Sequence, residues 1–209
     1  MPTASAPLLV ELGTEELPPM ALPLLGEAFA QRLAGALEEV GLLTPTGLRR
    51  WYATPRRLAV HLDGVARRAA DQIHQRRGPS IQAAFDATGQ PTPAAKGFAR
   101  SCGVDLSELS TTKSSEGEWL YHSQKIEGIA LNKILPDLIL EALKTLPVAK
   151  KMRWGDKKDE FVRPIQWLVI LHGERLVPAT VMGVNSGNVT RGHRFHGQEK
   201  IVIPNAESY

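Results

Sequence analysis

One stripe constrains the fold of this chain more than any other feature: Leu22, Leu25, Phe29, Leu33, Leu37 and Val40 recur at three- and four-residue spacing and share one side of an α-helix. Gly41 follows, a residue that ends helices in the left-handed region at little steric cost. Such a helix cannot stand alone in water and needs an apolar partner layer. The flanking segments read as that layer. Residues 8–12 form a short apolar run closed by Gly13, and Pro18-Pro19 turns the chain before the helix. Residues 48–53 and 58–62 read as strands around Thr54-Pro55, the second alternating Leu58, Val60 and Leu62 on one face. The first unit is therefore β-α-β-β and is assigned to residues 1–75.

The second unit, 76–209, reads as α+β with hairpins. Residues 67–78 have no apolar stripe and read as a connector. Residues 94–102 form a short helix ended by Gly103, and 107–112 with 118–125 form a hairpin around Ser114, Ser115 and Gly117. Leu131, Leu135, Leu138, Ala142 and Leu146 mark another helix, which Pro136 either starts or kinks. Residues 166–171 and 176–182 bracket His172-Gly173-Glu174-Arg175 as a hairpin. Residues 201–203 are strand-like, and Pro204-Asn205-Ala206-Glu207 opens a helix whose body is absent, so the sequence is expected to be a piece of a longer protein. The expected class is α+β: mixed, mostly antiparallel sheets with packed helices.

Composition narrows the chemistry. Among 209 residues, Cys102 is the single cysteine, which excludes an intramolecular disulfide and a cysteine-built zinc cage and suits a reducing, cytoplasmic setting. No segment approaches the roughly 18 apolar residues of a membrane helix, so no membrane partner is expected. The net charge is only +3, but the pI of about 9.1 comes with arginines grouped in pairs, which suits a polyanionic partner.

The acidic set Glu11, Glu15 and Glu16 fits either acid-base or magnesium chemistry, or plain solvation and helix capping. Glu11 stands inside an apolar strand, so it must open to water or pair with an arginine. His193 and His196 lack a third ligand, and Arg191 and Arg194 beside them repel a cation, so no metal site is assigned. No nucleophile elbow and no glycine-rich phosphate loop occurs, so no catalytic residue is assigned either; Cys102 reads as a small core residue. Lys150-Lys151-Met152-Arg153 and Gly173-Glu174-Arg175 are only fragments of synthetase signatures. What remains is a distributed basic set: Arg49-Arg50, Arg56-Arg57, Arg67-Arg68, Arg76-Arg77, Lys150-Lys151 with Arg153, and Arg191 with Arg194. Guanidinium groups take phosphate bidentately, and Trp51, Tyr52, Trp154 and Phe195 nearby can stack on splayed bases. The competing reading is a solvated face with ion-pair braces. In residues 190–196, Gly192 and Gly197 free the backbone to approach another molecule. An extended loop there would send Arg191 and Arg194 to opposite faces.

The blocks LLVELGTEELPP, WYATPRRLAV, RRGPSIQAAFDATGQPTPAAKGFARSCG, KKMRWG, FVRPIQWLVILHG and SGNVTRGHRFHG follow one another from Leu8 to Gly197. In that order they resemble the bacterial glycyl-tRNA synthetase β subunit, in its N-terminal part. The resemblance implies an assembly of two α and two β subunits, with tRNA recruited through β. The aminoacylation chemistry, with its ATP and magnesium, is expected in α. The basic positions within the blocks make Arg56, Arg57, Lys150, Lys151, Arg153, Arg191 and Arg194 the candidate tRNA ligands. Arg163, followed by Pro164 and ahead of a strand, is a candidate structural brace.

Overall fold

The computed structural model describes residues 4–114, 117–148, 150–154 and 160–209. Its elements in chain order are β1 (Ser5–Thr14), α1 (Leu22–Glu39), β2 (Arg49–Thr54), β3 (Arg57–Ala66), β4 (Gln72–Ser80), α2 (Ile81–Ala84), α3 (Pro93–Cys102), β5 (Ser110–Ser114), β6 (Gly117–Ile126), α4 (Leu131–Lys144), β7 (Met152–Arg153), β8 (Glu160–Phe161), β9 (Ile165–His172), β10 (Arg175–Leu176), β11 (Thr180–Val181), β12 (Val184–Gly187), β13 (Val189–Thr190) and β14 (Ile201–Val202). The α+β class is the one expected. Among the described residues every strand pairing is antiparallel except that of β12 with β9.

The division into units differs from a cut at 75/76. The described residues of Met1–Ala70 and Ile129–Tyr209 form one unit, and Asp71–Gly128 is a second unit inserted into it. The reason is long-range strand pairing. In the larger unit the sheet order is β11-β12-β9-β1-β3-β2, with β10 also on β9, so β1 is bonded to β3 on one side and to the distant β9 on the other.

Period-two alternation sends Leu8, Val10 and Leu12 of β1, Leu58, Val60 and Leu62 of β3, and Leu168 and Ile170 of β9 into one core with α1 and α4. The α1 stripe is as expected: Leu25, Phe29, Leu33 and Leu37 are all fully buried. Gly41 follows with φ +72°, the left-handed cap its position suggested. In α4 the buried set is Leu131, Leu135, Ile139, Ala142 and Leu143, so the stripe is wider than the sequence reading and leaves Leu138 only partly covered. Pro136 lies inside this helix and does not start it. Its cost is one missing donor, and packing against α1 holds the helix regardless.

The other side of the sheet is not open. Leu9, Val169 and Leu171 meet Ile203 and Ala206, so the C-terminal segment lies over this face. The hairpin of β9 and β10 forms around Gly173, but its second strand lasts two residues, because Pro178 brings no donor and the chain turns away to pair β11 with β12.

In the inserted unit, β4-β6-β5 is an antiparallel sheet over a small core of Ala84, Ala95 and Leu120 with Phe85 and Phe98 beside it. The α3 helix ends at Gly103 as expected (φ +71°). The expected strands pair as β5 and β6, and residues 115 and 116 lie outside the described residues; a 3-10 turn at Leu106–Glu108 replaces the first expected strand residues. The connector reading of 67–78 is overturned: Gln72–Ser80 is a strand. Its side chains from Gln72 to Arg77 are exposed, so the backbone ladder to β6 holds it and no apolar stripe announces it.

Two measurements follow from this packing. Phe29→Ala removes a fully buried ring and lowers stability by about 3 to 5 kcal/mol, read as a shifted denaturation midpoint; an unmoved midpoint contradicts the core assignment. His172, the last residue of β9, is buried and shares a 2.7 Å hydrogen bond with the Val65 carbonyl, which its Nε2–H must donate. Burial first, and then the charges of Arg67 and Arg175, push its pKa below the ordinary histidine value of 6.5. The unfolded chain then binds the extra proton, so the stability due to neutral His172 is present above about pH 6.5 and fades as pH falls through and below it. His172→Gln removes that share of the acid sensitivity, measured as the pH dependence of the thermal midpoint between about pH 7 and 5.

Candidate functional site

The site is built on the sheet face turned away from the helices. The alternation that buries Leu8, Val10 and Leu12 under α1 and α4 places Leu9, Glu11 and Gly13 on the opposite face. Glu11 is fully buried. Of the two readings open for it, pairing with an arginine is the one adopted: Arg57 Nε stands 3.3 Å from Oε2. The other oxygen accepts a hydrogen bond from Trp167 Nε1–H at 2.6 Å and one from the Thr190 hydroxyl. Trp167 reaches this position because its ring lies against Gly13, where a Cβ would stand 1.9 Å from the indole. The Tyr209 phenol borders the same pair. Burial first, and then the Glu11 charge, push its pKa above the ordinary tyrosine value, so the hydroxyl stays protonated; its ring meets Tyr52 edge-on at 5.5 Å.

Arg57 also donates to Thr190 Oγ1 at 3.2 Å and to the Arg191 carbonyl. Its guanidinium is thus committed to bracing β13 against the sheet, with a quarter of the side chain accessible. The adjacent Arg56, in the β2–β3 turn, makes no such side-chain bond among the described residues. Both arginines line a cleft of about 400 Å³ with Glu16, Trp167, His193, Arg194 and Phe195, and Arg56 also lines a contiguous depression with Arg191 and Glu199. Among the described residues, Arg56, Arg191 and Arg194 have no ion-pair partner.

The loop bearing these groups is not extended. Gly197 N–H donates to the His193 carbonyl at 2.8 Å, closing a turn, and Gly192 N–H donates to the Gln198 carbonyl at 2.8 Å. The two glycines permit this self-contact: a Cβ on Gly197 would come within 2.2 Å of the His193 nitrogen. Their role is therefore close approach within the loop, which corrects the reading that they free it for another molecule. The turn also brings Arg191 and Arg194 to line one depression instead of opposite faces. The Arg191 guanidinium lies 5.2 Å above the Trp167 ring, and Arg194 lies 5.7 Å from Phe195. Phe195 is 78% exposed, and the His193 and His196 rings stack at 5.2 Å.

The remaining candidates sit apart from this cleft. Lys150 is exposed, Lys151 donates to the Lys144 carbonyl, and Arg153 pairs with Glu160 at 3.3 Å. Arg163 donates to the carbonyls of Glu16 and Val162, both at 2.9 Å, which is the brace expected of it. Trp51 covers Gly26 of α1 and Trp154 packs on the main core, so neither presents an open stacking face as Phe195 does.

A model of the family described as glycyl-tRNA synthetase beta subunit matches residues 8–209. The chain belongs to that family. Curated relatives named glycine–tRNA ligase beta subunit include those of Chromohalobacter salexigens (46% identical over 206 residues, 99% of this chain and 30% of the relative), Hahella chejuensis (45% over 205 residues, 96% and 29%) and Alteromonas mediterranea (44% over 201 residues, 96% and 29%). The chain thus spans about three tenths of the length of these β subunits.

Within this β-subunit family chain, sequence reasoning found Glu11 and its need for an arginine, but it missed Trp167, Thr190 and Tyr209 as members of the same cluster. Thr190 lies 179 positions from Glu11, and no local pattern connects them. The only available signal was Gly13 in an otherwise bulky strand, which marks a close approach without naming the partner. Glu11→Gln leaves Arg57 without its counter-charge. The expected cost is at the lower end of the roughly 3 to 5 kcal/mol for breaking a buried pair, because Arg57 is partly solvated. Hydrogen exchange at Gly192 and Gly197 should accelerate in the same variant, since Thr190 anchors their loop; unchanged exchange there would show the loop to be held by other contacts.

Proposed function

We propose that this chain is the N-terminal portion of the β subunit of a heterotetrameric glycine–tRNA ligase of two α and two β subunits. In this reading it supports tRNA recruitment and subunit assembly, while α carries the aminoacylation chemistry with ATP and magnesium. The observation that carries the RNA reading is the cleft itself. Among the described residues Arg56, Arg191 and Arg194 converge there in no ion pair, although Glu16 and Glu199 are on the walls, beside the exposed Phe195, while the neighbouring Arg57 is consumed by Glu11. An exposed guanidinium with no internal partner is available to a phosphate, and an open aromatic ring to an unstacked base. Arg57, by contrast, acts through the fold.

Titration of the chain with glycine-accepting tRNA at several salt concentrations tests this. Binding should weaken steeply with salt. Arg194→Ala should lower the slope of log affinity against log salt by about one unit with an unchanged thermal midpoint, whereas Arg57→Ala should lower the midpoint. Wild-type salt dependence in variants of Arg56, Arg191 and Arg194 alike would leave the chain as an assembly module that does not touch RNA.

A further inference from the structure

A second basic cavity lies at the other end of the same sheet. It has a volume of about 490 Å³ and is lined by Arg67, Arg68 and Arg175, with Asn132, His172 and Leu176 among its walls. Among the described residues, no carboxylate lines it. Arg67 and Arg175 are exposed and make no ion pair or side-chain hydrogen bond among the described residues. The Arg67 and Arg175 guanidinium groups on one concave surface repel each other unless an anion joins them. The placement is enforced by the fold. Arg67 and Arg68 follow β3, Arg175 opens β10, and the antiparallel ladders bring the end of β3 and the end of β9 to the start of β1, where Ala6 pairs with Val65 and Leu8 with His172. Backbone bonds hold the rim: Leu131 N–H donates to the Arg67 carbonyl at 2.9 Å, and Arg68 bridges to Ala130.

We infer that this cavity binds a phosphate group of the same RNA that occupies the Arg56, Arg191 and Arg194 cleft. The inference rests on the tRNA-recruiting reading above. The two basic sites stand at opposite ends of β1, whose ten residues span about 30 Å at roughly 3.3 Å per step. A single phosphate contact fixes only a point on a nucleic acid. Two that far apart on one rigid sheet fix its direction as well, the positioning role that backbone contacts serve. Guanidinium forks match phosphate oxygens bidentately, and a cavity without carboxylates presents nothing that repels them.

His172 serves as an internal reporter. The charged groups facing it are Arg67, from the end of β3, and Arg175, from β10. An anion neutralising those two arginines relieves their effect on the imidazole, so its pKa moves up toward the ordinary value.

The test uses the 209-residue chain and the double variant Arg67→Ala/Arg175→Ala, both with glycine-accepting tRNA across a salt series. The expected result is a slope lower by one to about two units in the double variant, with a thermal midpoint near that of the wild type because both side chains are exposed. A parallel titration of the wild type with inorganic phosphate at constant ionic strength, followed by the His172 ring proton resonance, should give a saturable shift and a raised pKa that the double variant lacks. An unchanged slope together with tight wild-type binding overturns this inference alone, and it does so even where the variant weakens association with another protein subunit. No phosphate-dependent movement of the His172 signal also overturns it, whatever the variant's stability. Salt-dependent tRNA binding absent from the wild type removes the functional reading itself.

Discussion

A carboxylate has no water in the middle of a fully covered strand, and the rest of this architecture accommodates that fact. Glu11 sits on β1, whose backbone is bonded on both sides and whose two faces are both covered. A lone buried charge there would carry a prohibitive desolvation cost. The chain answers with three groups from three elements: Arg57 from β3, Trp167 from β9 and Thr190 from β13. Each is useful only if its element lies where the sheet order places it. The polar cluster therefore does more to specify the position of the C-terminal segment than to add raw stability, since an apolar replacement of similar volume would seal the face as well.

That commitment sorts the arginines. Arg57 and Arg163 end on carboxylate and carbonyl oxygens inside the unit, and Arg153 ends on Glu160. Arg56, Arg191 and Arg194 at one end of the sheet, and Arg67 and Arg175 at the other, have no such partners among the described residues. The pairs Arg56-Arg57 and Arg67-Arg68 look alike as sequence. They differ because the strand register brings Arg57 onto the buried Glu11, whereas Arg67 meets no carboxylate among the described residues. Positive charge left without a counter-charge at two ends of a rigid sheet is an arrangement that folding alone does not call for, since exposed ion pairs add little stability whether made or omitted.

Much of the fold was legible because it is local. The stripe from Leu22 to Val40, the glycine caps at Gly41 and Gly103, and the strands on either side of Thr54-Pro55 follow from periodicity and turn chemistry within about twenty residues. β4 was illegible for the converse reason. An edge strand with exposed side chains carries no burial pattern, so its only signature is a ladder to β6. The α4 stripe is two positions wider than its spacing shows, because Ile139 and Leu143 are buried in the core that this helix shares with α1 and the sheet. The loop glycines at 192 and 197 announced close backbone approach, but not that the approaching backbone belongs to the same turn.

By itself the sequence determined the class, the principal helices, the absence of a phosphate-cradling motif and the consecutive blocks that carry the family resemblance, since each of these is written in neighbouring residues. It also determined that Glu11 needed a partner. Only the tertiary structure decided which arginine that partner is, that residues 71–128 are an insertion, that Thr190 and Tyr209 close over β1, and that two sets of arginines stand at opposite ends of one sheet. The physical reason is that a side-chain pattern reports how much of a segment is buried and with what period, while the partner is chosen by strand pairing across more than a hundred residues. Nothing local carries that choice.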